Sequence, residues 1–414
     1  MSETMTDNVF DKLNTECNEY SSALLLSTCQ ATAKSGVPFA LCSDDCFPEV
    51  HCAMELPFWS VPVMAGVFTM EPQAPDLIDK SAAMGVGEKT CSGLRMTMYM
   101  VEAGMIPKPT ALITGNICCD AISSTSELMN NYKPWADVPK FYLSGPHDKS
   151  EESMVEFGKQ LRAAAAFLEK TTGKKLDMNK LKQVCEESNK QCQLMLELQM
   201  LKSAVPTPID WTWGRKAGRI ARWGPRVGDP VITDWLERLI TATEQRIKAG
   251  KGIDGITEKI RFNWYDLMPT MGDKLFPRLA KELGAVQLSD HQNWGGPWTP
   301  IDTSSEEAMF TSFAKRYLND TPMVKHAMGT PQILSDEIYR LYKDLKCNAV
   351  VMGLHIGHKE QNAMHKIVAD ICRERNIPLL QLGCDLWDAR YMSADQAFDR
   401  IKEFFEITGL SSAD

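Results

Sequence analysis

A chain of 414 residues with 44% hydrophobic composition exceeds a typical single domain and can bury more than one core, so two or three domains are expected. The formal net charge of −9, with no basic block interleaved with aromatics, argues against a nucleic-acid partner. The start MSETMTDNVFDKLNTE is polar and acidic and no stretch approaches the length of a membrane span, so a cytoplasmic, membrane-free protein is expected.

Along the chain, a helical N-terminal stretch carrying Cys17 and Cys29 leads into strand-like runs FALCS (39–43), WSVPVMA (59–65), TALIT (110–114) and KFYLS (140–144). Helical patterns fall between them near 74–84, 92–104 and 119–131. Residues 150–250 are charged, helical and strand-poor, with a long loop around PTPIDWTWGRKAG. One helix there begins near Asp177 and carries the stripe Leu181, Cys185, Ser188, Cys192, Met195 at core-facing spacing. Strand-like runs return at IRFNW (260–264), AVQLS (285–289), NAVVMG (348–353) and IPLLQLG (377–383), alternating with helices near 272–283, 304–318, 333–346, 359–375 and 393–407. Strand and helix in turn imply parallel sheets covered on both faces. The predicted fold is α/β, with two Rossmann-like lobes built on parallel four-stranded sheets, at 1–149 and 258–414, and a helical domain at 150–257.

Thirteen cysteines are an odd count for a disulfide framework and favour reduced thiols, some reserved for metal. Cys17, Cys29, Cys185, Cys192, Cys347 and Cys372 read as packing residues. Open parallel sheets gather ligands outside the carboxyl ends of their strands. That rule selects Asp45 and Cys46 after the first strand, Cys118 and Cys119 after TALIT, His355 and His358 after NAVVMG, and Cys91 opening a helix in GVGEKTCSGLR. A lone histidine after a strand is more often a hydrogen-bonded loop residue than a ligand, but sulfur and imidazole from two lobes converge here. GVGEKT is no phosphate loop, since Glu88 separates glycine from lysine and a helix precedes it. The pair His355 and His358 lacks the zincin spacing and its glutamate, which argues against metalloprotease chemistry.

The segments EKTCSGLR, ITGNICCD, PTPID, EQRIKAGKG, HIGHKEQ and CDLWDARYMSADQAFDRIKEFF occur in an order and spacing that resembles the subunits of 2-hydroxyacyl-CoA dehydratases and benzoyl-CoA reductases. The likeness runs from about residue 36 to 408, and Asp385, Asp388, Arg390, Gln396 and Arg400 all match the family pattern. It implies a lyase subunit with a [4Fe–4S] cluster, whose three ligand positions fall on Cys91, Cys118 and His358. The family's third thiolate is replaced by imidazole in G-H-K, a ligand that makes the site less negative and raises its potential. Cys46 or Cys119 as the third sulfur, or a subunit without its cluster, are the other readings. A serine implicated in the chemistry of the family's substrate-binding subunits has Asp45 nearest its position in CSDDCFPE.

The resemblance further implies a homologous second subunit in a heterodimer and a separate ATP-dependent iron–sulfur activator. In that chemistry the activator delivers one electron, the cluster passes it to the thioester carbonyl of a 2-hydroxyacyl-CoA, and the ketyl radical anion expels the 2-hydroxyl, loses a β-proton and gives the electron back to leave the 2-enoyl-CoA. For an acyl-CoA, the segment WGRKAGRIARWGPR offers Arg215, Lys216, Arg219, Arg222 and Arg226 to phosphates, or simply forms a basic face, and HQNWGGPWTP (291–300) has the make-up of a cleft-covering loop. Two classes of function follow: a cluster-bearing dehydratase or reductase subunit, and a non-catalytic electron-relay or structural partner of a catalytic homologue.

Overall fold

The computed structural model describes residues 3–44, 47–290 and 296–410. It contains two parallel four-stranded sheets. The first is built from β1 (Ala40–Cys42), β2 (Phe58–Ser60), β3 (Ala111–Gly115) and β4 (Lys140–Leu143), in the order β2-β1-β3-β4. The second is built from β5 (Ile260–Tyr265), β6 (Ala285–Asp290), β7 (Ala349–His355) and β8 (Leu379–Cys384), in the order β6-β5-β7-β8. The central strands are apolar along their length because helices cover both faces; β3 and β5 are buried at every residue.

The two sheets share one winding. In each, the second strand in chain order lies on one side of the first and the third strand on the other, so the strand order reverses between β1 and β3 and again between β5 and β7. Crevices open at such reversals, outside the carboxyl ends of the strands. Asp44 follows β1 and Cys118 follows β3, while Asp266 follows β5 and His358 follows β7.

The run WSVPVMA departs from the expected strand. Pairing stops at Ser60 and Val61–Phe68 is a helix with proline in its first turn. Pro62 has no N–H for a ladder, and its fixed φ suits the start of a helix. Met64, Ala65 and Phe68 are buried. A fully buried helix segment and a buried strand are equally apolar, which is why periodicity could not separate them.

Four helices, Glu151–Thr172, Met178–Leu201, Trp211–Ala221 and Pro230–Lys248, lie between the sheets in the chain. Asp177 caps the second by accepting from the N–H groups of Asn179 and Lys180, and Leu181, Cys185, Ser188, Cys192 and Met195 are all buried along it. The N-terminal helix Glu3–Ser21 packs Leu13 and Cys17 against this group, where the Trp235 indole donates to the Leu13 carbonyl at 2.9 Å. The twelve cysteines among the described residues are free thiols, and Cys29, Cys347 and Cys372 are buried as packing residues. Among the described residues no helix is long and apolar enough to cross a membrane.

Candidate metal centre

The two strand-order reversals face each other across one cavity. Cys91, Cys118, Cys119 and His358 line it together with Asp44, Ser60, Trp223 and Trp387. Asp45 and Cys46 lie outside the described residues. The other sequence-selected donors therefore reach one place, from segments far apart in the chain.

Local structure explains how they are presented. Cys91 is the N-cap of Ser92–Glu102, Cys119 of Asp120–Asn131, His358 of Lys359–Glu374 and Ser60 of Val61–Phe68. Each helix start carries partial positive charge, so four of them turn the same end toward one cavity and favour thiolates or an anionic guest there. Cys118 at φ 101° and Asp266 at φ 107° hold the left-handed region without being glycine, a strain that surrounding structure must impose.

The lobes touch closely at Cys91. Gly357 leaves no room for a side chain, since a Cβ there would lie 2.4 Å from the Cys91 Cα and 2.8 Å from the His355 Nε2. Nearby, the Ser92 hydroxyl donates to the Asp385 Oδ1 at 2.5 Å, and the same oxygen accepts the Trp387 N–H at 2.9 Å. Lys359 pairs with Asp120, and Glu360 accepts the Asp120 N–H at 3.0 Å, so the helices opening at Cys119 and His358 are also tied together.

Cys91, His355 and His358 each offer one ligand atom within 4.8 Å of the others, all buried, so the group can hold a metal. Sulfur with imidazole suits iron, zinc or copper, not magnesium or calcium. The two histidines are not equivalent. His358 Nδ1 lies 3.0 Å from the buried Asp266 Oδ2, which accepts its proton and leaves Nε2 as the free lone pair. Burial alone would lower the His358 pKa, but the Asp266 carboxylate outweighs it and holds the pKa above its ordinary value. His355 Nδ1 instead accepts the Leu386 N–H at 3.1 Å, so its proton sits on Nε2, 3.4 Å from the Cys91 Sγ. Burial, then the neighbouring His358 and Arg95, keep His355 neutral. It is thus arranged as a hydrogen-bond donor to Cys91 sulfur.

Burial pushes the Cys91 thiol up, so without a cation it stays protonated. Cys118 and Cys119 share a hydrogen bond that raises the first and lowers the second, which makes Cys119 the readier thiolate. Sequence reading selected His355 but not its part as a donor to Cys91, and it did not select Asp266 or the cavity-lining Ser60. The strand-end rule pointed toward Asp266, which directly follows β5, but nothing local marks it as the partner of His358.

The basic segment divides. Arg226 pairs with Asp229, and Arg222 lies 3.3 Å over the Trp298 ring, which anchors the described part of the 291–300 loop. Arg215 and Arg219 line a second cavity that shares Pro62, Val63, Trp223 and Trp387 with the first.

The model of the 2-hydroxyglutaryl-CoA dehydratase D-component family matches residues 45–408, and the chain belongs to that family. No curated protein matches the chain.

Proposed function

We propose that this chain is the iron–sulfur subunit of a 2-hydroxyacyl-CoA dehydratase, a lyase that removes water from a 2-hydroxyacyl-CoA to give the 2-enoyl-CoA. The observation that carries the reading is the meeting of Cys91, Cys118, Cys119 and His358 in one cavity at the starts of helices. The ligands of a [4Fe–4S] cluster would be Cys91, Cys118 and His358; the Asp266–His358 hydrogen bond supports His358, since it leaves Nε2 free to bind iron. When bound, such a cluster would supply single-electron transfer, at a potential raised by the imidazole that stands in place of a thiolate.

The chain's own residues do the rest. His355 steadies the Cys91 sulfur with its Nε2–H. The tight seam at Gly357 and the ion pair of Lys359 with Asp120 hold the two lobes together beside the site. Arg215 and Arg219, in the adjoining cavity, would offer guanidinium groups to CoA phosphates, and the wall of Pro62, Val63, Trp223 and Trp387 shared by the two spaces supports a thioester arm running between them. A homologous subunit and an ATP-dependent iron–sulfur activator complete the enzyme in this reading, and the family's designation as a component supports a multi-part assembly.

The test is anaerobic purification with iron and sulfide analysis. About four irons and four sulfides per chain, with loss of iron in Cys91→Ser and Cys118→Ser, are expected. One iron or zinc and no sulfide, lost in His355→Ala, would instead indicate a mononuclear site on Cys91, His355 and His358.

A further inference from the structure

We propose that the acyl group taken into this cavity is uncharged, ending in carbon and not in a carboxylate, and that Ser60 donates to its thioester carbonyl. The inference rests on the acyl-CoA reading above and narrows the substrate class. It also separates this chain from the substrate in the family's name, whose acyl group ends in a carboxylate.

The cavity wall carries the argument. Among the described residues neither lysine nor arginine lines it. Among the described lining residues the one carboxylate is Asp44, which would repel a second, and the histidine, His358, is already hydrogen-bonded to Asp266. Much of the remaining wall is hydrocarbon, including Pro62, Val63, Leu94, Ile122, Met323 and Val324, and beside the thiols its polar groups are the neutral hydroxyls of Ser60 and Thr321 and the indoles of Trp223 and Trp387. A carboxylate buried against such a surface exchanges its hydration for the partial charges of helix starts alone, with no lysine or arginine beside it, whereas a methyl group loses no hydration and is favoured there.

Ser60 supplies the second, independent observation. It is 4% exposed, occupies the N-cap of Val61–Phe68 without capping it, and its hydroxyl finds no hydrogen-bond partner among the described residues. Buried hydroxyls are rarely left so. An uncharged acceptor at the cavity end of this helix, such as a thioester oxygen, would satisfy it, and the helix start would stabilise negative charge gathering on that oxygen.

The experiment compares binding of 2-hydroxypentanoyl-CoA and 2-hydroxyglutaryl-CoA, which differ by a methyl group in place of a carboxylate. It uses the anaerobically purified full chain without activator or ATP, so that calorimetry reads binding without turnover. The pentanoyl ester should bind at least about tenfold more tightly. Ser60→Ala should weaken it by roughly five- to tenfold while keeping the preference. Met323→Lys should shift the preference toward the glutaryl ester. Equal binding of the two esters, or tighter binding of the glutaryl ester, overturns the inference and leaves the acyl-CoA reading standing; binding of neither overturns both.

Discussion

Gly357→Ala adds one methyl group at the tightest point between the lobes. The new Cβ would lie 2.4 Å from the Cys91 Cα and 2.7 Å from the Cys91 nitrogen, where ordinary contact begins at 3.4 Å. Both neighbours are backbone, so no rotamer change relieves the clash, and the loops must part by about 1 Å. Overpacking of this kind costs about 1–3 kcal/mol. The same displacement stretches the 3.4 Å contact between His355 Nε2 and Cys91 Sγ beyond hydrogen-bonding range. The assay is the rate at which a thiol reagent labels Cys91 in metal-free protein, read by peptide mass spectrometry, together with the urea unfolding midpoint. Cys91 is buried, so wild-type labelling should be slow, and Gly357→Ala should label faster and unfold at lower urea. Gly383→Ala is the control, because a Cβ there meets nothing within 4 Å. Equal labelling and stability of Gly357→Ala and wild type would refute the reasoning, since the seam would then have slack that the geometry denies.

Asp266→Ala removes the acceptor that orients His358, and iron affinity measured by chelator competition should fall about 10–100-fold. His355→Leu removes the N–H aimed at Cys91 sulfur; the cluster midpoint in anaerobic potentiometry should move to lower potential, with His355→Gln falling between leucine and wild type. His51, stacked between Phe47 and Phe58, has its pKa lowered by burial from 6.5 to about 4. Between those values the unfolded chain binds more protons, so stability falls as pH drops from 6.5 to about 4, by ~3 kcal/mol from this group, and changes no further below. Urea unfolding of His51→Leu against wild type at pH 7 and pH 4 should show that share of the acid sensitivity removed.

The sequence alone determined the alternation of strand and helix, because a strand covered on both faces must be apolar throughout and each crossover helix must show one apolar stripe. It also determined that Cys91, Cys118 and His358 stand where loops enter helices, since the strand ends and the helix patterns fix that locally. Whether WSVPVMA bends into a helix after Ser60 was not legible, for a buried helix and a buried strand share one composition. Only the tertiary structure decided what each donor does. Cys91 and His355 are 264 residues apart, and His358 and Asp266 are 92 apart. A tautomer is set by the partner on the far nitrogen, and a thiol's charge by the burial around it. Neither partner nor burial is written near the residue it governs, so the ligand-like His358 and the donor-like His355, three positions apart in one loop, became distinguishable only when the lobes closed on each other.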